Sequence, residues 1–259
     1  SKKAILVTSF GTSYNDTRAK TIDAIERRIA EEFPDWEVRR AWTSRMIIKK
    51  VNERDGVRID YVTDAMEKLS AEGFDEVVVQ PTLIMNGTEF DDIVRIVSEH
   101  AGSIRKLSIG RPLLTTSEDY DAAVGAIRSC LLPLCEGKGL VLMGHGTEHY
   151  ANATYCELQM KLWSAGISNV FVTTVEGFPT FEDTVRLMNH AKCRGVVTVP
   201  FMIVAGDHAN NDMAGDDDDS LKSFLTSKGF DVECVIRGLG EFEGFRELFV
   251  RHVREAMGQ

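Results

Sequence analysis

The chain has 259 residues, 43% of them hydrophobic, which is enough to bury one large core or two smaller ones. Its net charge of −10 at pH 7 offers no basic stripe for the phosphates of a nucleic acid, so nucleic acid is excluded as an expected partner. No apolar run approaches the roughly eighteen residues that a membrane-spanning helix needs, and we expect no membrane partner.

Short runs rich in Val and Ile alternate along the chain with longer segments in which apolar residues recur at helical spacing. Strands are predicted near residues 4–10, 36–42, 75–84, 105–109, 139–144, 169–175, 195–204 and 231–236. Helices are predicted over residues 14–32, 61–72, 88–101, 118–132, 152–165, 180–193, 211–228 and 242–257. This alternation indicates an α/β fold built on parallel sheets.

The predicted elements form two sets that resemble each other. "ILVTSFGTS" at 5–13 matches "LVLMGHGTE" at 140–148, and "VVVQPTLIMNGTEF" at 77–90 matches "VVTVPFMIVAGDHA" at 196–209. Such self-similarity predicts two similar βα domains related by a pseudo-twofold. We place them at residues 1–122 and 123–259, with the last helix free to pack back on the first domain.

Three ionisable residues follow predicted strands on loops that contain glycine: Glu89, His145 and His208. In the register of the repeat, Phe10 matches His145 and Glu89 matches His208. Ligands of open parallel sheets bind beyond the carboxyl ends of the strands, so two facing domains would present these residues across one cleft. Two imidazoles and a carboxylate in one cleft predict a site for a metal ion or a proton.

Each of these residues also has a plainer explanation. His145, between two glycines, could be the polar tip of a tight turn, and His208 could be a polar residue at a helix entry. Glu89 could be an acid favoured by the dipole of a helix's first turn. Glu176 ends another predicted strand, before a glycine and a proline, and is a candidate fourth ligand.

Other polar features predict no further chemistry. The run Asp216–Asp219 is expected to be a solvated acidic face, because no EF-hand spacing accompanies it. The five cysteines include no CxxC pair, so we expect reduced thiols. Dinucleotide-binding, P-loop and nucleophile-elbow motifs are absent from the sequence. We expect a cytoplasmic protein. Because the first residue is Ser1 and not Met, a removed export leader is an alternative.

Five stretches resemble the anaerobic cobalt chelatases, or sirohydrochlorin cobaltochelatases, within the class II chelatases that include ferrochelatase. In chain order they are "SFGTSYNDT", "MGHGTEH", "VEGFP", "PFMIVAGDHANNDMAGDDDDS" and "GLGE". The resemblance implies an α/β, chelatase-like fold of two similar Rossmann-like domains, each with a four-stranded parallel sheet flanked by helices. It also implies that the tetrapyrrole binds between the two domains.

By the same resemblance, His145 and His208 are the metal-handling histidines and Glu89 is an acid of the same site. Glu176 matches a glutamate that completes metal binding. One position departs from the family: Leu83 stands where relatives commonly carry a histidine that has been linked to haem binding. We therefore do not extend haem binding to this chain.

The implied activity is insertion of a divalent metal, Co²⁺ first of all, into sirohydrochlorin for cobalamin biosynthesis. The metal is a substrate, and no permanent cofactor is expected. His145, His208 and Glu89 are the predicted catalytic residues, and His145, Glu176 and His208 the predicted metal ligands. Substrate carboxylates are expected to meet Arg45 and the backbone of two loops, namely Phe10, Gly11, Thr12 and Ser13 in the first and Gly146 and Thr147 in the second.

Several alternatives stay open at this stage. Fe²⁺ and Ni²⁺ are alternatives to Co²⁺, precorrin-2 to sirohydrochlorin, and a homo-oligomer to a monomer. A non-catalytic carrier of tetrapyrrole or metal would use the same residues without turnover. A metal-dependent hydrolase would hold its ion permanently, whereas a chelatase must release it.

Overall fold

The computed structural model describes residues 1–259, and its internal contacts divide the chain into two compact units. The first unit comprises Ser1–Thr115 with Arg246–Gln259, and the second comprises Thr116–Phe245. The boundary that the sequence suggested, between residues 122 and 123, falls inside a helix, whereas the division between the units precedes that helix. None of the helices has the length and apolar character needed to cross a membrane.

The first unit contains a four-stranded parallel sheet with strand order β2-β1-β3-β4. The central strand β1 is almost wholly buried, as expected for a run of apolar residues covered on both faces. The strands are β1 Lys3–Ser9, β2 Glu37–Trp42, β3 Glu76–Pro81 and β4 Lys106–Ile109.

Helices α1 to α5 belong to the first unit: α1 Asn15–Lys20, α2 Ile22–Glu32, α3 Arg45–Asp55, α4 Val62–Ala71 and α5 Thr88–Ser98. The sequence analysis missed α3. Only Val51 of this helix is buried, so its apolar pattern is weak. Its ends are nevertheless well marked, because the Ser44 side chain accepts a hydrogen bond from the Ile47 amide and Gly56 closes the helix with φ of +68°.

The second unit repeats the topology of the first, with strand order β6-β5-β7-β8 and all pairs parallel. Its strands are β5 Gly139–Gly144, β6 Val170–Thr174, β7 Gly195–Pro200 and β8 Asp231–Cys234. Its helices are α6 Ser117–Ala126, α7 Ala153–Ser164, α8 Phe181–His190 and α9 Leu221–Ser227. The predicted α/β class with two similar four-stranded parallel sheets is confirmed.

The last helix, α10 Glu243–Ala256, starts in the second unit, but from Arg246 onward it is part of the first. Within the first unit, Arg28 Nε donates to Glu247 at 2.5 Å. The ring nitrogen Nδ1 of His252 lies 2.9 Å from the carbonyl oxygen of Arg111. These contacts hold the C-terminal helix to the first unit.

The helix predicted over residues 211–228 is divided in the structure. A wide helical turn, His208–Met213, comes first, and α9 begins only after Ser220 caps it by accepting from the Ser223 amide. The interruption lies at Gly215, where a Cβ atom would come within 2.4 Å of the Asn211 carbonyl oxygen. The close backbone approach ends the turn there.

The strand order places a topological switch point in each sheet. The connection after β1 leads to β2 on one side of the sheet, and the connection after β3 leads to β4 on the other side. The switch point of the first sheet therefore lies between β1 and β3. Likewise, that of the second sheet lies between β5 and β7. Phe10 and His145 directly follow β1 and β5, while Glu89 and His208 follow β3 and β7. The four repeat-related positions therefore lie at the ligand-binding edges of their own sheets.

Candidate functional site

His145 follows β5 between two glycines that the local backbone requires. At Gly144, a Cβ atom would lie 2.2 Å from the ring of Tyr155. Gly146 has φ of +85°, and a Cβ there would lie 2.4 Å from the backbone nitrogen of Gly177. A larger residue at either position would displace the loop, so the glycines fix His145 at the end of its strand.

The imidazole of His145 is oriented by its own loop. Its Nδ1 lies 2.8 Å from the carbonyl oxygen of Gly146, and because a carbonyl only accepts, Nδ1 carries the proton. The other nitrogen, Nε2, takes no part in this contact and lies 3.8 Å from a carboxylate oxygen of Glu176. The Glu176 amide donates to the His145 carbonyl at 2.9 Å, which joins the two loops beyond β5 and β6.

His208 begins the wide helical turn His208–Met213. Ala209 and Met213 are fully buried and anchor the turn on the second unit's core. Nδ1 of His208 lies 2.6 Å from a carboxylate oxygen of Asp212, and because a carboxylate only accepts, Nδ1 donates this hydrogen bond and Nε2 takes no part in it. The sequence analysis did not identify Asp212, although a His-x-x-x-Asp spacing on a helical turn would have indicated this contact.

The two imidazoles lie against each other. Their ring centroids are 4.2 Å apart with the planes inclined by 69°, and both side chains are partly exposed to solvent. No three His, Cys, Asp or Glu side chains lie together in an arrangement that could hold a metal ion. Glu176 is close to His145 but does not complete a three-ligand site. The second unit thus offers an accessible pair of imidazoles, and imidazole nitrogen is a ligand that suits Co²⁺, Ni²⁺, Fe²⁺ and Zn²⁺.

Glu89 lies in a cavity of about 290 Å³ within the first unit. The hydroxyl of Thr43 donates to its carboxylate at 2.8 Å. Burial raises the pKa of Glu89 above the usual glutamate range, and the charge of Asp92 raises it further, while the Thr43 hydrogen bond lowers it. The cavity is lined by Phe10, Thr43, Tyr61, Val62, Thr88, Glu89, Asp92, Ile93 and Ile96. The carboxyl group of Glu89 is thus suited to exchange protons at a pH nearer to neutral than the carboxyl group of an exposed glutamate would.

Residues 3–258 match the family model for cobalt chelatase (CbiK). The chain belongs to this cobalt chelatase family. It is 40% identical over 256 residues to the sirohydrochlorin cobaltochelatase of Salmonella typhimurium, a match covering 99% of this chain and 97% of that protein. It is 32% identical to the sirohydrochlorin cobaltochelatase CbiKC of Nitratidesulfovibrio vulgaris, covering 99% of this chain and 91% of that one.

The fold of this cobalt chelatase family member is also found in solved structures. The structure of SirB from Bacillus subtilis with Fe³⁺ is similar with a TM-score of 0.65, at 15% sequence identity. The similarity covers 100% of this chain and 98% of that one. At this level of identity the comparison supports the fold alone, and it agrees with the two parallel sheets.

The first loop predicted to bind the cobalt chelatase substrate is only partly open to solvent. Phe10 is 54% exposed and forms one wall of the cavity that contains Glu89. Gly11 is held against the ring of Trp42 with φ of +102°, and the buried Thr12 hydroxyl accepts from the Tyr14 amide at 3.2 Å. Phe10 is therefore the exposed apolar surface of this loop.

Two other predicted substrate contacts, Arg45 and Ser13, differ in how far they are exposed to solvent. Arg45 is exposed, and its guanidinium lies 3.8 Å from the centre of the Tyr61 ring, which lines the same cavity. Ser13 is partly exposed. Arg45 stays a candidate partner for a substrate carboxylate, because stacking on an aromatic face leaves its N–H groups free to donate.

Gly146 and Thr147 are expected to receive a substrate carboxylate, but in the structure their backbone amides have acceptors of their own. The Gly146 amide donates to the Tyr155 hydroxyl at 3.2 Å, and the Thr147 amide donates to Asn152 Oδ1 at 3.0 Å. Both amides are already engaged within the second unit. Sequence reasoning had no means of detecting this, because the acceptors lie on the following turn and helix.

His149 and Leu83 lie near the predicted site, and both have structural roles. Nδ1 of His149 accepts from the Ala151 amide at 2.9 Å and caps a short helical turn, so this nitrogen is not free for a metal. Leu83, the position at which the sequence was noted to depart from the family it resembles, is buried in the first unit's hydrophobic core. Its side chain supports packing and offers no ligand atom.

Proposed function

We propose that the protein is a sirohydrochlorin cobaltochelatase that inserts Co²⁺ into sirohydrochlorin, or into precorrin-2, for anaerobic cobalamin biosynthesis. The observation that carries the proposal is the pair of imidazoles on the second unit, with ring centroids 4.2 Å apart and Nδ1 of each engaged by an acceptor of the same unit. The family and the names of its curated relatives support the choice of reaction.

The reaction places one divalent ion in the macrocycle and releases two pyrrole N–H protons. His145 and His208 take the ion from water through Nε2, which replaces part of its hydration shell. Glu176 offers a nearby negative charge that favours the approach of a cation. Glu89 accepts pyrrole protons, and its raised pKa suits a general base that works close to neutral pH.

An ion that is a substrate must leave the protein as readily as it arrives. Resident catalytic zinc sites typically have three protein ligands, which retain the metal. Here no group of three His, Cys, Asp or Glu side chains is placed to hold a metal ion, and the protein offers two imidazoles with Glu176 Oε1 3.8 Å from His145 Nε2. This arrangement supports a site that transfers its ion to the tetrapyrrole and argues against the metal-dependent hydrolase.

The macrocycle is flat and apolar with carboxylate groups at its rim. Phe10, more than half exposed, is a suitable surface for its face, and Arg45 a suitable cation for a rim carboxylate. Neutral imidazoles bind Ni²⁺ and Cu²⁺ at least as well as Co²⁺, so ligand type alone does not select the metal. The names of the relatives support Co²⁺ as the substrate.

The test is an anaerobic absorbance time course of sirohydrochlorin with Co²⁺, Fe²⁺ or Ni²⁺ and a catalytic amount of protein. We expect many turnovers per protein molecule, fastest with Co²⁺ relative to the rate without protein. A spectral change that stops at one equivalent of protein, without faster insertion, would overturn the proposal in favour of a tetrapyrrole or metal carrier.

A further inference from the structure

The two imidazoles of the metal site are oriented by acceptors of different kinds. His145 donates from Nδ1 to a backbone carbonyl, which no substitution removes. His208 instead donates from Nδ1 to the side chain of Asp212 at 2.6 Å, a short, charge-assisted contact. The group that orients His208 is therefore the side chain of one residue, Asp212, which is neither a proposed metal ligand nor a proposed base.

The wide helical turn brings His208 and Asp212 to the same side. Their neighbours Ala209 and Met213 are buried, while His208 and Asp212 are both partly exposed. The Asn210 side chain donates to the Gly206 carbonyl at 2.9 Å and steadies the start of the turn. Both partners of the His208–Asp212 contact thus project from a backbone that is anchored independently of that contact.

We propose that Asp212 is a positioning residue for metal insertion: its carboxylate holds the proton of His208 on Nδ1 and so presents the Nε2 lone pair to the incoming Co²⁺. The inference rests on the proposed chelatase function. Without the acceptor, a neutral imidazole exchanges between two tautomers and its ring turns more freely, so Nε2 carries the proton part of the time. Such outer partners of metal-binding histidines commonly change metal affinity by about 10- to 100-fold.

Substitution by Asn distinguishes this role from simple packing. Asp212→Asn preserves shape but replaces the charged acceptor with a neutral amide, whose oxygen accepts from Nδ1 more weakly and whose N–H competes to donate to it. A purely structural Asp212 would tolerate this isosteric change. Asp212→Ala removes the acceptor without supplying a donor. The matched control is Asp218→Asn, which removes the same charge from an exposed position in the following segment.

The experiment measures kcat and KM for Co²⁺ at saturating sirohydrochlorin, together with Tm, for the whole protein and the three variants. Co²⁺ binding without tetrapyrrole is measured in parallel by calorimetric titration. For Asp212→Asn we expect KM and Kd for Co²⁺ to rise about 10- to 100-fold. The KM for sirohydrochlorin, the Tm and the control variant stay near wild type, and Asp212→Ala is impaired to a similar or smaller extent.

The outcomes separate this inference from the proposed function. If the wild-type protein turns over and Asp212→Asn keeps its KM and Kd for Co²⁺ within about two-fold, the positioning role of Asp212 is refuted while the chelatase stands. If the variant loses activity only together with its Tm, Asp212 is a structural residue and the inference is again refuted. If wild type binds Co²⁺ and does not turn over, the proposed function fails on its own.

Discussion

The two units have the same strand order but carry different side chains at equivalent positions. The end of β1 carries Phe10 where the end of β5 carries His145, and after β3 the first unit has Glu89 where the second has His208. One unit offers an apolar surface and a carboxyl group in a cavity, and the other offers two imidazoles. The comparison teaches that the sheet topology determines where a functional residue lies, while the side chain there determines its chemistry.

The exposure of these groups follows the same division. The imidazoles of His145 and His208 are open to solvent, where hydrated metal ions arrive. The carboxyl group of Glu89 is partly buried in its cavity, and this burial raises its pKa. Each environment suits one half of the reaction, since binding an ion requires access and accepting a proton near neutral pH requires a raised carboxyl pKa. The predictions below test this division of roles.

The largest expected effect comes from removing either imidazole. His145→Ala and His208→Ala should each reduce Co²⁺ insertion to the uncatalysed rate, because one remaining imidazole does not compete with water for the ion. The measurement is the anaerobic absorbance time course, with circular dichroism melting to verify folding. His190→Ala, at an exposed position of α8, is the matched control and should keep full activity. Substantial turnover in both site variants would show that the two imidazoles of the second unit do not bind the metal ion during insertion.

Loss of the first unit's carboxyl group should have a smaller effect. Glu89→Gln should lower kcat about 100-fold, within the usual contribution of a general base, and leave KM for Co²⁺ nearly unchanged. The acidic limb of the pH profile should disappear with it. Glu99→Gln, at the exposed end of α5, is the control. A rise in KM for Co²⁺ instead of a fall in kcat would make Glu89 part of the metal site and break the division of roles.

Displacing the His145 loop should reduce activity about 10- to 100-fold, the size expected when a reacting group moves by roughly 1 Å. Gly146→Ala would do so because its Cβ would meet the backbone of Gly177 at 2.4 Å. Gly166→Ala is the matched control, since Gly166 also has positive φ, at +79°, but has open space around it. Both variants should lose about 1–2 kcal/mol of stability to backbone strain. Only Gly146→Ala should also lose activity. Equal activities in the two variants would contradict the account of the loop.

The contribution of Glu176 should be modest. Its carboxylate is largely exposed and lies 3.8 Å from His145 Nε2, a geometry in which charge interactions contribute up to about 1 kcal/mol. Glu176→Gln should therefore raise KM for Co²⁺ about two- to five-fold, and added salt should shrink the difference from wild type. Loss of all Co²⁺ binding in this variant would instead make Glu176 a direct ligand.

The smallest effect is a shift in pH dependence. The Thr43 hydroxyl lowers the pKa of Glu89, so Thr43→Val should raise that pKa beyond its already elevated position. Because the deprotonated carboxylate accepts the proton, the acidic limb of the kcat profile should move to higher pH while the plateau stays unchanged. Thr43→Ser keeps the hydroxyl and should leave the limb in place. A shift toward lower pH in Thr43→Val would contradict the proposed base.

The sequence predicted all eight strands, because the central ones are short runs rich in Val, Ile or Leu and the edge strands lie between helical segments at the spacing of βα units. The repeat also led to His145 and His208 as candidates, and the structure brings their rings together. The sequence analysis missed α3, in which only Val51 is buried, and the break at Gly215. Those features depend on tertiary contacts that leave little periodicity in the chain.

Within the site, the residue types could be predicted but their partners could not. Asp212 went unnoticed because "DHANND" also reads as an ordinary helix entry, and the amides of Gly146 and Thr147 were thought to be free. Hydrogen-bond partners depend on side-chain directions that no spacing rule supplies. The raised pKa of Glu89 likewise follows from a cavity that the sequence does not reveal.

The most direct test of the account is anomalous diffraction at the cobalt edge from crystals of the Co²⁺-loaded protein. We predict one cobalt peak bonded to Nε2 of both His145 and His208, at about the 2.0–2.1 Å typical of metal–imidazole bonds. A peak confined to the acidic run Asp216–Asp219, with none at the imidazole pair, would contradict the assignment of the metal site.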